Sequence, residues 1–264
     1  MTGATGKLAV VTGASTGIGF ELATLAAKDG YDLIVVANEP LIESAADDFR
    51  QCGTQVTAVE ADLSSIAGVD QLLDAVQGRQ IDVLVANAGT GTGGAFLEQD
   101  TGTWRHAIDT NVTGTVYLLQ RVLRPMVARN DGKVLVTGSI AGYIPGAFNA
   151  IYNATKAFID NFTEALRNEL KDVGGVTVTT LMPGATDTEF FARAGMLDTS
   201  VGQDENKADP AKVAQDGWSA MLDGKGHIVS GLINKLQVAA AGIVPQAVLA
   251  DRHRAMAEPG SGEE

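Results

Sequence analysis

Cysteine is almost missing from this chain. Cys52 is the only one in 264 residues, which excludes an internal disulfide. That fits a reducing cytoplasm, with the thiol serving at the surface or in packing. Positive charge is also scarce: Lys and Arg total 19 against 32 Asp and Glu, a net charge of −13. A polyanion would be repelled, so no nucleic-acid partner is expected. The three histidines, His106, His227 and His253, are scattered without ligand spacing, and no metal is expected. Long hydrophobic runs are lacking too. The longest charge-free apolar stretch, Leu236–Ala250, contains Gly242 and Pro245. It falls short of the roughly 20 residues a spanning helix needs. The first residues carry no basic stretch followed by an apolar core, so no export signal is visible.

What is present suits one large α/β domain, with 45% apolar residues to build its core. Short β-branched runs at Leu8–Thr12, Asp32–Ala37, Gln55–Glu60, Ile81–Ala86, Lys133–Gly138, Val176–Leu181 and His227–Ser230 read as strands. Several are nearly continuous apolar runs, as strands covered on both faces should be. Between them, Gly17–Lys28, Leu41–Gln51, Val69–Val76, Thr103–Arg129, Ile151–Lys171 and Pro210–Leu222 read as helices. Strand and helix in alternation predict right-handed crossovers and a doubly wound parallel sheet of about seven strands, helices on both faces. The expected domain spans residues 1–257, with a disordered tail over 258–264. Leu232–Ala250 carries one charge, Lys235, and much apolar surface. It is expected to be buried, as a subunit contact or a pocket cover.

The run Thr12-Gly13-Ala14-Ser15-Thr16-Gly17-Ile18-Gly19 joins the first strand to the first helix. Glycines there let the backbone approach a dinucleotide pyrophosphate, and the helix start offers free N–H groups and partial positive charge. A plain strand-to-helix loop has the same local signature. Gly3-Ala-Thr-Gly6-Lys7 faintly suggests a phosphate loop, but it precedes the strand and lacks the required spacing. Asn87 ends the fourth strand, where it can hold backbone or touch a cofactor. Asp62 follows the third strand and can accept from an adenine amino group or cap a helix.

Tyr152 and Lys156 are four apart on one helix face. Ser139 follows a strand in a Gly138-Ser-Ile-Ala-Gly142 turn, on the same side of the sheet as the glycine turn. A ketone that accepts hydride becomes an alkoxide needing a proton. Tyrosine, with an ordinary pKa near ~10, needs help to serve near neutrality. The Lys156 ammonium can lower that value and also reach a ribose hydroxyl. Ser139 can polarise the substrate oxygen. Asn111, set within Thr103–Arg129, can anchor a water linking Lys156 to solvent, or be a solvated helix residue.

Together these residues resemble the short-chain dehydrogenase/reductase family in its compact single-domain branch. The matching pieces are Thr12-Gly13-x-x-x-Gly17-Ile18-Gly19, Asp62-Leu63, Ala86-Asn87-Ala88-Gly89, Asn111-Val112-x-Gly114, Ser139, Tyr152-x-x-x-Lys156, and Pro183-Gly184 followed by Thr186 and Thr188. They keep the family's order from residue 8 to about 190. The resemblance implies Tyr152 as acid/base, Ser139 as substrate orienter, Lys156 as cofactor binder and Asn111 as relay anchor. It implies Thr188 against the nicotinamide carboxamide, and Ser15, Thr16, Leu63, Ala88, Gly89, Pro183, Gly184 and Thr186 along the cofactor. It also implies a homodimer or homotetramer, with Thr103–Arg129 and Ile151–Lys171 packing on their copies. The expected activity is NAD(P)-dependent hydride transfer between a nicotinamide and a carbonyl or secondary alcohol. A cofactor-binding sensor or scaffold without catalysis is the alternative. Epimerisation or dehydration would call for a longer substrate domain.

The chain departs from the family pattern. An acidic residue at the end of the second strand marks NAD users, and here Ala37 stands there. A basic residue at the next position or in the glycine turn marks NADP users, and here these are Asn38 and Thr16. Ala86 stands where Asn is commoner. Asn38 can donate hydrogen bonds, which favours NADP over NAD. The substrate is expected against Glu189–Leu197, Tyr143, Ile144 and Phe148, a largely apolar set suited to an apolar carbonyl or alcohol. Phe190, Phe191, Met196 and Leu197 can equally serve to pack a helix onto the domain.

Overall fold

The computed structural model describes residues 6–262. The first residues of the Gly3–Lys7 segment and the last two of the acidic tail lie outside the described residues. In chain order the elements are β1 (Leu8–Thr12), α1 (Gly17–Lys28), β2 (Asp32–Ala37), α2 (Leu41–Arg50), β3 (Val56–Glu60), α3 (Ile66–Ala75) and β4 (Val83–Ala86). Then come α4 (Thr101–Ile108), α5 (Thr115–Arg129), β5 (Gly132–Thr137), α6 (Ala150–Glu169) and β6 (Val176–Met182). The last are α7 (Phe190–Arg193), α8 (Ser200–Gln203), α9 (Pro210–Leu222), β7 (His227–Val229), α10 (Leu232–Ala241) and α11 (Gln246–Ala257). All seven strands are parallel, in the order β3-β2-β1-β4-β5-β6-β7.

Side-chain alternation divides the core in two. Leu8 and Val10 of β1 point to one face, where Val69 and Leu72 of α3, Leu118 and Val122 of α5 and Ile159 of α6 pack. Ala9 and Val11 point to the other, against Leu22 and Ala26 of α1, Phe49 of α2 and Trp218 of α9. A period of two in a fully buried strand requires apolar residues at every position, so β1 reads as an unbroken run. Successive strands step outward from β1 to β3, and β4 then returns to the far side of β1. That reversal opens a crevice at the carboxyl ends of β1 and β4, the place where doubly wound sheets take ligands.

Element ends follow local chemistry. Ser65 caps α3 by accepting from the Gly68 amide at 3.0 Å, so the helix begins three residues earlier than the apolar pattern from Val69 suggests. Asp100 caps α4, accepting from the Gly102 and Thr103 amides. The expected long helix Thr103–Arg129 is present as an unbroken helical run in which α4 passes into α5 through a π-helical turn at Asp109–Gly114. An extra residue in such a turn reorients the side chains it carries, and π turns concentrate at functional sites. Gly114 is required in this one: a Cβ there would lie 1.9 Å from the Leu63 carbonyl oxygen.

The tail differs from expectation. Glu258–Gly262 is held rather than loose: Gly260 N–H donates to the Asp198 carboxylate and Gly262 N–H to the Asp198 carbonyl, both at 3.0 Å. Ser261 Oγ accepts from the Ser200 amide at 3.0 Å. The Glu-Pro-Gly-Ser composition signals disorder only when no partner surface exists, and the segment Met196–Gln203 supplies one. Ala257 is fully buried against Phe191, Ala194 and Met196. Among the described residues, no helix is long and apolar enough to cross a membrane.

Candidate active site

A cleft of about 720 Å³ opens over the carboxyl ends of the central strands. Gly13, Ser15, Thr16, Gly17, Ile18, Gly19, Asn38, Asp62, Leu63, Asn87, Ala88 and Gly89 line its β1–β4 side. Ser139, Tyr152, Lys156, Pro183, Gly184, Thr186 and Thr188 line the other. Of the catalytic and cofactor residues singled out from sequence, Asn111 alone is not part of this lining.

The glycine turn is shaped as a cradle. Gly13 and Gly17 have φ of +64° and +57°, a region that costs side-chain-bearing residues dearly. A Cβ on Gly19 would stand 2.0 Å from the Gly13 carbonyl oxygen. Thr16 makes no capping bond with its side chain and the first turn of α1 has no acidic residue. The first amides of α1 therefore face the cleft with the helix dipole behind them, which suits a pyrophosphate. Thr188 leans over the turn, its methyl 2.9 Å from where a Cβ on Gly17 would be.

Asn87 holds backbone. Its amide nitrogen donates to the carbonyls of Thr12 and Gly13 at 3.2 and 3.3 Å, and its oxygen accepts from Thr137 Oγ1 at 3.0 Å. The Thr12 hydroxyl accepts from both the Asn87 and Ala88 amides at 2.9 Å. The ends of β1, β4 and β5 are thus tied into one rigid floor. Asp62 lines the cleft, but its two oxygens accept from the amide and hydroxyl of Ser64, both at 2.9 Å. It forms a local turn, and the helix cap falls to Ser65.

Asn111 is buried within the π turn. Its oxygen accepts from the Thr90 amide at 2.8 Å, and its nitrogen donates to the Thr90 carbonyl and to Thr155 Oγ1, each at 2.9 Å. Both amide hydrogens are used, so the side chain clamps the loop after β4 to α6. That is firmer work than the solvated helix residue its sequence context allows.

Ser139 Oγ accepts from the Ala141 amide at 3.1 Å and donates to the Pro183 carbonyl at 3.3 Å. The Tyr152 ring packs on Phe190 with centroids 4.8 Å apart. Lys156 is buried, donates to the Thr137 carbonyl at 2.7 Å and lies 5.8 Å from the Tyr152 ring centre. The expected lowering of the phenol by this lysine does not appear in the protein alone. Burial pushes Tyr152 up to about 12, only partly offset by the Ser139 hydroxyl, and the Asp160 charge adds to the rise. Burial also drives Lys156 down to about 8, with Asp160 opposing. The ammonium, itself buried and 5.8 Å from the ring centre, does less for a phenolate than desolvation does against it.

Asp160 was not anticipated. It continues the series Tyr152, Lys156, Asp160 at four-residue spacing, which places all three on one face of α6 and is the signal that could have revealed it. Its carboxylate sits beneath the Ser139 turn. A Cβ on Gly138 would come 1.8 Å from Oδ1, and one on Gly142 2.5 Å from Oδ2. Neither oxygen has a hydrogen-bond partner of good geometry among the described residues. Burial raises this acid to about 7 against the pull of Lys156 and the Ser139 amide. The two glycines flanking Ser139 are therefore there to admit a carboxylate as well as to turn the chain.

The outer wall is apolar. Ile144, Phe190, Phe191 and Met196 line the cleft as expected, whereas Tyr143, Phe148 and Leu197 do not. Phe191 and Met196 also pack with Ala257, so lining and packing are one function of the same residues. Leu232, Ile233, Asn234 and Gln237 of α10 and His253 and Met256 of α11 complete the wall. Asn234 lies on Gly184, with Oδ1 2.5 Å from a Cβ position there. Leu232, Ile233, Leu236 and Ile243 are each more than 60% exposed, so much of the apolar surface expected to be covered is open in the single chain.

A parallel sheet reversing at β1/β4, a glycine cradle at a helix start and a Ser-Tyr-Lys group facing it define a dinucleotide-dependent oxidoreductase site. The comparisons agree. Residues 7–196 match the family model described as short chain dehydrogenase, and the chain belongs to that family. An uncharacterized oxidoreductase of Staphylococcus epidermidis is 35% identical over 185 residues, covering 69% of this chain and 79% of the relative. One from Staphylococcus aureus is 31% identical over 218 residues, covering 81% and 90%. Among solved structures, a short-chain dehydrogenase from Sphingobium yanoikuyae in complex with NADPH superposes with TM-score 0.79 at 26% identity, covering 91% of this chain and 97% of that one. A short chain dehydrogenase/reductase from Burkholderia phymatum in complex with NAD gives 0.80 at 26%, covering 88% and 92%.

Proposed function

We propose that the protein interconverts an apolar carbonyl compound and its secondary alcohol using NAD(P), with Tyr152 as general acid/base. The observation that carries this is the convergence of Ser139, Tyr152 and Lys156 on the cleft that holds the glycine cradle. The nicotinamide cofactor, when bound, supplies or accepts the hydride. Ser139 holds the substrate oxygen by a hydrogen bond, and Tyr152, protonated at neutral pH, delivers the proton to the oxygen as reduction proceeds. Lys156 holds a ribose hydroxyl and offers positive charge to the developing phenolate. Asn111 keeps the Thr90 loop and α6 in register behind them. An apolar substrate suits the Ile144, Phe190, Phe191 and Met196 wall. Homo-oligomer formation through α4, α5 and α6 accompanies this reading, and a reducing cytoplasm suits the exposed thiol of Cys52. The test is a matrix of NADH and NADPH against ketones, aldehydes, acyl-thioesters and secondary alcohols. Cofactor binding with no turnover on any of them would favour a sensor or scaffold instead.

We assign cofactor preference to NADP, modest in size. No acid at Ala37 repels a 2′-phosphate, and Asn38 can donate to one. Asn38→Arg is expected to raise the NADPH preference and Ala37→Asp the NADH preference, read as the ratio of kcat/KM for the two cofactors. A ratio unmoved by both would place the ribose pocket elsewhere.

The segment 232–250 is read as a cover of the cleft. Truncation after Ser230 is expected to leave a soluble protein without activity, measured by sizing and turnover. Loss of assembly or solubility would show a packing role instead, and a soluble, fully active truncation would refute both.

A further inference from the structure

The residues that mark cofactor choice in sequence, Ala37, Asn38 and Thr16, carry no charge. The structure brings a charge to them from elsewhere. Arg193 of α7, on the far side of the cleft, reaches across so that its Nη2 lies 2.9 Å from Glu39 Oε1 and 3.5 Å from Thr16 Oγ1. The same Glu39 oxygen accepts from Ser15 Oγ at 2.5 Å. The Ser15 hydrogen bond, helped by Arg193, holds the Glu39 carboxylate below its usual range despite partial burial. The guanidinium therefore rests on both the glycine turn and the loop after β2. In a βαβ unit the adenosine ribose of a dinucleotide lies between those two stretches.

We propose that Arg193 determines cofactor choice, receiving the 2′-phosphate of NADPH in exchange for Glu39. The inference rests on the dinucleotide reading given above. Both side chains of the ion pair are partly exposed, at 44% and 29%. Pairs of that kind are weak, so giving one up costs little. A phosphate dianion takes the planar guanidinium bidentately, which is a stronger and more directional bond than the present single contact. The Ser15 and Thr16 hydroxyls lie beside it and can donate to the same oxygens. A 2′-hydroxyl brings no charge and leaves the pair as it is. Glu39 competes with the phosphate for the arginine, and this competition keeps the preference moderate.

The experiment is equilibrium binding of NADPH and of NADH by nucleotide fluorescence, on the full chain and on Arg193→Ala and Glu39→Gln, each checked for an unchanged thermal midpoint. Arg193→Ala should weaken NADPH about tenfold or more and NADH by less than about threefold. Glu39→Gln should tighten NADPH and leave NADH alone. Equal change in both nucleotides with Arg193→Ala, or none in either, overturns the assignment while leaving the oxidoreductase reading intact. Failure of the unsubstituted protein to bind either nucleotide overturns both.

Discussion

Tyr152→Phe should bind cofactor like the parent and lose turnover by roughly 10²–10⁴-fold, the range general acid–base groups contribute. The phenylalanine ring keeps the contact with Phe190 at 4.8 Å centroid distance, so the wall of the cleft stays in place and only the proton donor goes. Burial leaves the phenol protonated, pushed up to about 12, which suits a donor in the reductive direction. Cofactor Kd and single-turnover rates on the same preparation separate the two effects. A variant keeping more than half of the parent rate would exclude Tyr152 as the acid.

The second large effect is expected at the Lys156–Asp160 pair. Lys156→Ala should lose rate and cofactor affinity together, because one ammonium serves the ribose and the phenol. Asp160→Asn should move the pH dependence of carbonyl reduction. The charged and titratable groups around this carboxylate are Lys156, Tyr152 and Tyr143, and Arg167 acts in turn on Tyr143. Reduction needs the ammonium, so kcat/KM falls as pH rises through the Lys156 pKa. The Asp160 charge raises that pKa against burial, which brings it down to about 8. Removing the charge lowers it further, and the alkaline limb should shift to lower pH by about one unit. A limb that stays in place or moves upward would rule out the coupling. Stability gives an independent readout with a determined sign. Asp160 is raised to about 7, so the folded chain holds this proton more tightly than the unfolded one. Its stabilisation is complete below the ordinary carboxylate range and is lost as pH rises through about 7. The Asn variant should lack that component of the decline.

Much of the architecture was legible without coordinates. The seven strands and their parallel order follow from alternating apolar runs and helices, and α1 and α9 begin and end where the pattern places them. Two local features leave no mark in the pattern. The helix Thr103–Arg129 reads as uniformly α-helical because a π turn leaves the apolar pattern on either side intact, and the close approach of the Leu63 carbonyl to Gly114 in that turn is a tertiary contact. The tail reads as disordered because its composition carries no record of the Asp198 carbonyl and carboxylate that receive its amides.

What the sequence by itself determined is chemistry that depends on close spacing along the chain: the glycine cradle, Tyr152 and Lys156 on one helix face, and Ser139 at a strand end. What only the tertiary structure decided is the electrostatic setting of those groups. Asn87 became a tie between strand ends, Tyr152 rose where a fall was expected, Asp160 emerged beneath Ser139, and Arg193 met Glu39 from 154 residues away. The reason is physical. Hydrogen-bonding geometry within a helix or turn is set by neighbours three or four residues distant. Desolvation and charge pairing depend on every atom within a few ångströms, whichever part of the chain supplies it.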